Sequence, residues 1–148
     1  MSFGAAVKVR PPMSSRNGAD GVVVVRPEEE VMGRQALPFF VGISGASAGS
    51  SHISMNLVVV PAGGAAEPHS HRGFETAVYL LKGRVEVRYG SHLAEGLVLE
   101  AGDFLFIPAD VPHQPVNLSD FEPAFALVAR NDANEQESIE RFRDHTHG

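Results

Sequence analysis

The stretch "PHSHRGFETAVYLLKG", residues 68–83, governs the reading of the whole chain. His69 and His71 stand one residue apart, at the start of an apolar segment that ends at Gly83. Side chains on a strand alternate between its faces, so an extended "HSH" projects both imidazoles to one side. Two imidazoles on one face can share an ion, and neutral imidazole suits Zn, Fe, Ni and Cu. The competing reading is a pair of ordinary surface histidines in a turn. The HxH alone does not choose between them.

The flanking sequence is strand-like. "SHISMNLVVVP" (51–61) is predicted as a strand stopped by Pro61, and "AGGAAEP" (62–68) as a turn. "FETAVYLLKG" (74–83) and "RVEVRYG" (84–90) form two strands around Lys82-Gly83, a hairpin-like signal. In the second, Val85, Val87 and Tyr89 alternate with Arg84, Glu86 and Arg88, which sends the arginines to solvent. "LVLEAGD" (97–103), "FLFIPADVPH" (104–113) and "FEPAFALVAR" (121–130) continue the series. Towards the N-terminus, "GVVVVRP" (21–27) and "LPFFVGIS" (37–44) read as short strands, "EEEVMG" as one helical turn and "GASAGSS" (45–51) as a loop. Residues 131–145 shift to helical composition, with Asp132 or Asn134 as cap. Closely spaced short strands without alternating helices predict an all-β sandwich or barrel. Phe74, Tyr79, Phe104, Phe106, Phe121 and Phe125 are expected to line its core.

A chain of 148 residues with 43% apolar content suits a single core. The absence of cysteine excludes disulfides, Cys-ligated zinc and thiol catalysis. A net charge of −6, with scattered Lys and Arg, disfavours nucleic acid as a partner. No apolar run is long enough to cross a bilayer, and "MSFGAAVKVRPPMSS" has no signal-peptide core. No membrane partner and a cytoplasmic location are therefore expected.

A second segment, "GDFLFIPADVPHQPVN" (102–117), puts His113 just after a Pro-rich turn. Together the two segments resemble the paired motifs of the cupin superfamily. The first family motif is a Gly, five residues, HxH, three or four residues, Glu, six residues and Gly; Gly63, His69, His71, Glu75 and Gly83 follow that order. The second is a Gly, five residues, Pro, one residue, Gly, two residues, His, three residues and Asn. Gly102, Pro108, His113 and Asn117 match it, with Asp110 in the glycine slot. Asp tolerates a left-handed turn better than most residues. The resemblance covers about residues 50–130. It implies a double-stranded β-helix, or jelly-roll barrel, here with a short C-terminal helix. It also implies one divalent metal ion (Fe, Zn, Mn or Ni) in the barrel mouth on His69, His71 and His113. The chain then divides into an arm (1–44), the barrel (45–131) and a C-terminal helix and tail (132–148).

Glu75 is the expected fourth ligand and the candidate catalytic base. Its spacing is ambiguous. Counting forward from His71, Glu75 fits the three-residue option, whereas counting back from Gly83 the slot holds Thr76. A slip of one residue on a strand moves a side chain to the opposite face, and a bulge in "RGFE" would restore it. The first motif also resembles that of pirin, where this Glu is not a ligand and a carboxylate two residues after the second-motif His serves instead. That position here is Pro115. The alternatives are a site of three histidines and Glu75, or three histidines with open positions and Glu75 beyond the ligand shell.

His52, His92, His145 and His147 are expected at the surface, and Asn117 in a turn. The resemblance spans sugar isomerases, dioxygenases and decarboxylases, so it does not choose the reaction. The leading expectation is a metal-dependent enzyme, of dioxygenase or isomerase type, acting on a small polar molecule. The alternative is a non-catalytic cupin that binds or senses a small ligand. The resemblance also implies a homodimer, and the arm is the expected exchanged or interface segment, because its short apolar strands "VVVV" and "PFFV" need a partner sheet to cover them.

Overall fold

The computed structural model describes residues 16–27, 29–134 and 139–141. Thirteen strands and one short helix organise them: β1 (Arg16–Asn17), β2 (Val23–Val24), β3 (Glu30–Met32), β4 (Pro38–Ile43), α1 (Gly45–Ala48), β5 (Ser54–Val60), β6 (His69–His71), β7 (Thr76–Lys82), β8 (Arg84–Tyr89), β9 (Glu95–Glu100), β10 (Phe104–Ile107), β11 (His113–Asn117), β12 (Ala124–Arg130) and β13 (Ile139–Arg141). A six-stranded sheet has the order β10-β7-β12-β5-β4-β3, and a five-stranded sheet β13-β6-β11-β8-β9. All pairings among these strands are antiparallel. β1 and β2 pair with each other. This is the expected all-β jelly-roll.

The period of two explains what each sheet buries. In β5, Ser54, Asn56, Val58 and Val60 are buried on one face; in β8, Val85 and Val87 are buried while Arg84 and Arg88 are exposed. Leu37, Phe39, Val58, Val60, Leu80, Val85, Val87, Leu99, Ala124 and Ala126 form the core between the sheets. Each buried Leu, Val or Phe contributes roughly 1.5–3 kcal/mol. At the β7–β8 junction Gly83 has φ +101°, and a Cβ there would lie 2.8 Å from the Ala124 Cβ, so the junction requires glycine twice over.

Several local expectations fail, for reasons of parity and pairing. Residues 30–32 are a strand against β4 rather than a helical turn. "GASA" is a helical turn rather than loop, because Ser44 and Ser47 cap it reciprocally. Within the expected C-terminal helix, Ile139–Arg141 forms a strand on the edge of β6; His145 and His147 lie outside the described residues. Phe104, Phe106 and Phe121 are exposed, at 82%, 59% and 91%, rather than in the core. On β10 the inward positions belong to Leu105 and Ile107. The aromatic residue at the centre of the core is Phe39, from the segment read as an arm, because β4 pairs with β5 inside the six-stranded sheet.

Candidate metal centre

β6 presents His69 and His71 on its buried face, with Ser70 between them less buried, as alternation requires. β11 runs antiparallel beside β6 and sets His113 directly opposite His69. The ring centroids of His69 and His113 are 4.4 Å apart, those of His69 and His71 5.0 Å, and those of His71 and His113 5.3 Å. One ring nitrogen from each of the three lies within 4.8 Å of the others. All three residues are buried.

The tautomers follow from the backbone. His69 Nδ1 lies 2.6 Å from the Glu67 carbonyl oxygen, and His113 Nδ1 lies 2.9 Å from that of Val111. A carbonyl only accepts, so each Nδ1 carries the proton and donates it. In this tautomer Nε2 is the nitrogen able to bind a metal, the arrangement seen in metal-bound histidines. Burial above all, then the neighbouring charges of His69 and Arg130, lower the His113 pKa from 6.5 to about 3; the hydrogen bond to Val111 acts in the opposite direction. His113 is therefore neutral, the form that binds a cation. Three convergent, buried imidazoles fit a divalent transition metal, which binds them in the neutral form.

Asp110 holds the two motifs together. It sits in the glycine slot with φ +67°. Its backbone N–H donates to the His71 carbonyl at 3.1 Å, and its Oδ1 accepts from the Gly73 N–H at 3.0 Å. Asn117 is buried and structural. Its Nδ2 donates to the carbonyls of Val60, Pro61 and Glu122, and its Oδ1 accepts from the Ser119 N–H.

Glu75 does not join the histidines. It is exposed, just before β7, and its backbone N–H donates to Asn131 Oδ1 at 2.7 Å. The expected fourth ligand is therefore corrected: the inward residue is Thr76, 2% exposed, as counting back from Gly83 indicates. β7 pairs in regular register with β12 from Thr76 to Leu80, with Thr76 on the buried face. His52 and His92 are exposed, as expected.

Beside the histidines a cavity of about 70 Å³ lies between the sheets. Its walls are mainly Leu37, Val58, Val60, Leu80, Val87 and Ala126, and its polar lining residues are Gln35, His69, Thr76, His113 and Arg130. Among the described residues, no Asp or Glu lines it. His113 also borders a second cavity of about 190 Å³, lined by Tyr89, Leu97, Phe106 and Val111 among others. Thr76 and Arg130 are the site residues that motif reasoning missed. They are cross-strand partners on β7 and β12, and Arg130 Nε donates to Thr76 Oγ1 at 2.9 Å. Parity carried the signal: Arg130 lies on the same face of β12 as the buried Ala124 and Ala126.

The chain is similar in structure to Lactobacillus farciminis oxalate decarboxylase in its formate complex (22% identity, TM-score 0.64, 77% of this chain and 33% of that one). It is similar to a recombinant oxalate oxidase in complex with glycolate (24% identity, TM-score 0.62, 73% and 56%). It is also similar to Bacillus subtilis oxalate decarboxylase, a protein with Mn(II) centres (21% identity, TM-score 0.63, 80% and 30%). The chain thus spans about a third of the decarboxylases and about half of the oxidase, and identities this low speak for the fold alone. No curated protein matches it. The cupin-domain family model matches residues 56–130. As that match runs from β5 to the end of β12 and covers both histidine segments, the chain belongs to the cupin family.

Proposed function

We propose that this chain is a metal-dependent cupin enzyme that acts on a small polar molecule. One divalent ion (Fe, Zn, Mn or Ni) is held by His69, His71 and His113. The observation that carries the reading is the convergence of three buried imidazoles beside a mainly apolar cavity. Such an ion supplies Lewis-acid polarisation, or the redox chemistry of oxygen if it is iron. The protein's own part is to keep His113 neutral, to aim the Nε2 atoms of His69 and His113, and to exclude bulk water with aliphatic walls.

Between dioxygenase and isomerase chemistry, the site favours the former. Isomerisation by proton transfer needs a base at the substrate, and Glu75, the candidate for that role, is exposed outside the cluster. Among the described residues, no carboxylate lines the cavity. The same observation supports the second reading, a non-catalytic cupin that binds a small ligand.

Oxygen consumption by iron-loaded protein, screened against small keto acids and aromatic acids, separates the two. Turnover that disappears in His113→Ala supports the enzyme. A ligand-induced rise in melting temperature without turnover supports the binding module. We further propose a cytoplasmic homodimer with neither nucleic acid nor membrane as partner. Among the described residues no helix is long and apolar enough to cross a membrane. β3 is an edge strand with an exposed Met32, a surface that a second copy would cover. Sedimentation as a monomer at micromolar concentration would count against the dimer.

A further inference from the structure

The two outer faces of the sandwich differ in kind. On the five-stranded sheet the outward positions of β8 and β9 carry Arg84, Glu86, Arg88 and Glu100, and ion pairs join Arg84 to Glu100 and Arg88 to Glu86. On the six-stranded sheet one row runs in direct register across the strands: Phe104 of β10, Tyr79 of β7, Leu127 of β12, Leu57 of β5 and Phe40 of β4. It reaches a charge only at Glu30 of β3. The next row, from Phe106 through Ala77 and Ala129 to Met55, is uncharged. Both rows point away from the core, because Leu105, Val78, Val128 and Val58, which lie between them, pack inward. Phe104 is 82% exposed, Phe106 59% and Met55 41%, and the ring centroids of Phe104 and Tyr79 are 4.7 Å apart. An antiparallel sheet with one face in water alternates apolar and polar residues; "LVVV" of β5 and "AFALVA" of β12 do not.

We propose that this face is the contact surface between two copies of the chain, packed sheet on sheet with Leu57 and Leu127 at the centre. This names the interface of the homodimer proposed above, rests on that reading, and does not depend on the metal centre. Size selects a second copy. Strands about 4.8 Å apart and outward residues about 6.8 Å apart give a footprint of about 24 by 20 Å, which side-chain relief brings towards the roughly 800 Å² per partner of a stable interface. Its anatomy fits as well: the centre is apolar, and the charges, Glu30 and Lys82, lie at the margins. A flat apolar sheet face complements itself, since two such faces stack about 10 Å apart with interdigitated side chains. Met32, on the outward side of β3, joins this face to the exposed edge already assigned to a second copy.

The test is sedimentation equilibrium of the full chain across the micromolar range. The wild type is expected to be a dimer. Leu127→Lys would bury an unpaired ammonium group in each copy and is expected to raise the dimer dissociation constant about a hundredfold or more. Phe104→Lys, at an exposed position, is expected to raise it about tenfold, and it decides if Leu127→Lys fails to fold. Val98→Lys, on the outer face of the other sheet, is expected to leave the dimer intact. The chain has no cysteine, so Ala77→Cys supplies a single thiol on the proposed face, and its labelling is expected to slow as the dimer forms. A wild-type monomer would overturn this proposal together with the homodimer. A dimer that survives folded Leu127→Lys and Phe104→Lys but dissociates in Met32→Lys would leave the homodimer standing through the β3 edge and overturn this interface alone. Dissociation by Val98→Lys, or labelling of Ala77→Cys at one rate whatever the concentration, would overturn it too.

Discussion

His113 stands directly opposite His69 in the antiparallel register of β11 and β6, their ring centroids 4.4 Å apart. Opposed side chains on one face of a sheet meet, and His71, two residues along from His69, completes the triangle. The site thus depends on strand register. A slip of one residue on β11 would turn His113 away. The ladder from His113 to Asn117 against β8 holds that register from one side, and Asp110 holds it from the turn.

Asp110 tests that dependence. Its φ of +67° strains any residue with a side chain. Asp110→Gly is expected to stay within about 1 kcal/mol of the wild type, because relief of strain offsets the lost Gly73 contact. Asp110→Ala keeps the strain without the contact and is expected to be lower by about a further 1–2 kcal/mol. Urea denaturation of the two variants checks the order.

Glu75→Gln is expected to leave metal uptake unchanged and stability within about 0.5 kcal/mol, since the residue is exposed and outside the cluster. A metal titration and a melting curve suffice. Loss of metal would show that Glu75 reaches the ion.

Asn117→Ala is expected to cost about 1–3 kcal/mol, because it leaves buried carbonyls such as that of Val60 unsatisfied. Metal stoichiometry below the melting temperature is expected to persist. Chemical denaturation and metal analysis of the same sample separate a structural role from a ligand role.

Acid is expected to destabilise the metal-free protein. His113 titrates near 3 when folded, against 6.5 as the ordinary value. Between those values the unfolded chain takes up a proton that the folded chain refuses. Stability from this group is complete above pH 6.5 and falls towards pH 3, by at most about 1.4 kcal/mol per pH unit. Denaturation of chelated protein across this range is expected to show the slope, and His113→Gln to flatten it.

The residues that converge through spacing were legible in the sequence. His69 and His71 follow from the period of two, and His113 from its place behind Pro108 in a second motif. Glu75 was ambiguous because the turn after His71, with Gly73 at φ +76°, resets the parity of β7, and only the paired strand shows that Thr76 points inward. Arg130 could have been found from the parity of "AFALVAR", but a charged residue ending an apolar strand reads as a solvent stop. Phe104 and Phe106 were misplaced because hydrophobicity says nothing of which side of an edge strand a residue occupies. Residues 139–141 are acidic and basic enough to suggest a helix, yet the open edge of β6 takes them as a strand.

The most direct test of the metal centre is ion stoichiometry in untagged protein, chelated and then equilibrated with zinc, for the wild type, His113→Ala and His92→Ala. The account predicts one tightly held ion per chain in the wild type and in His92→Ala, and none in His113→Ala. A full complement in His113→Ala, or none in any of the three, would contradict it.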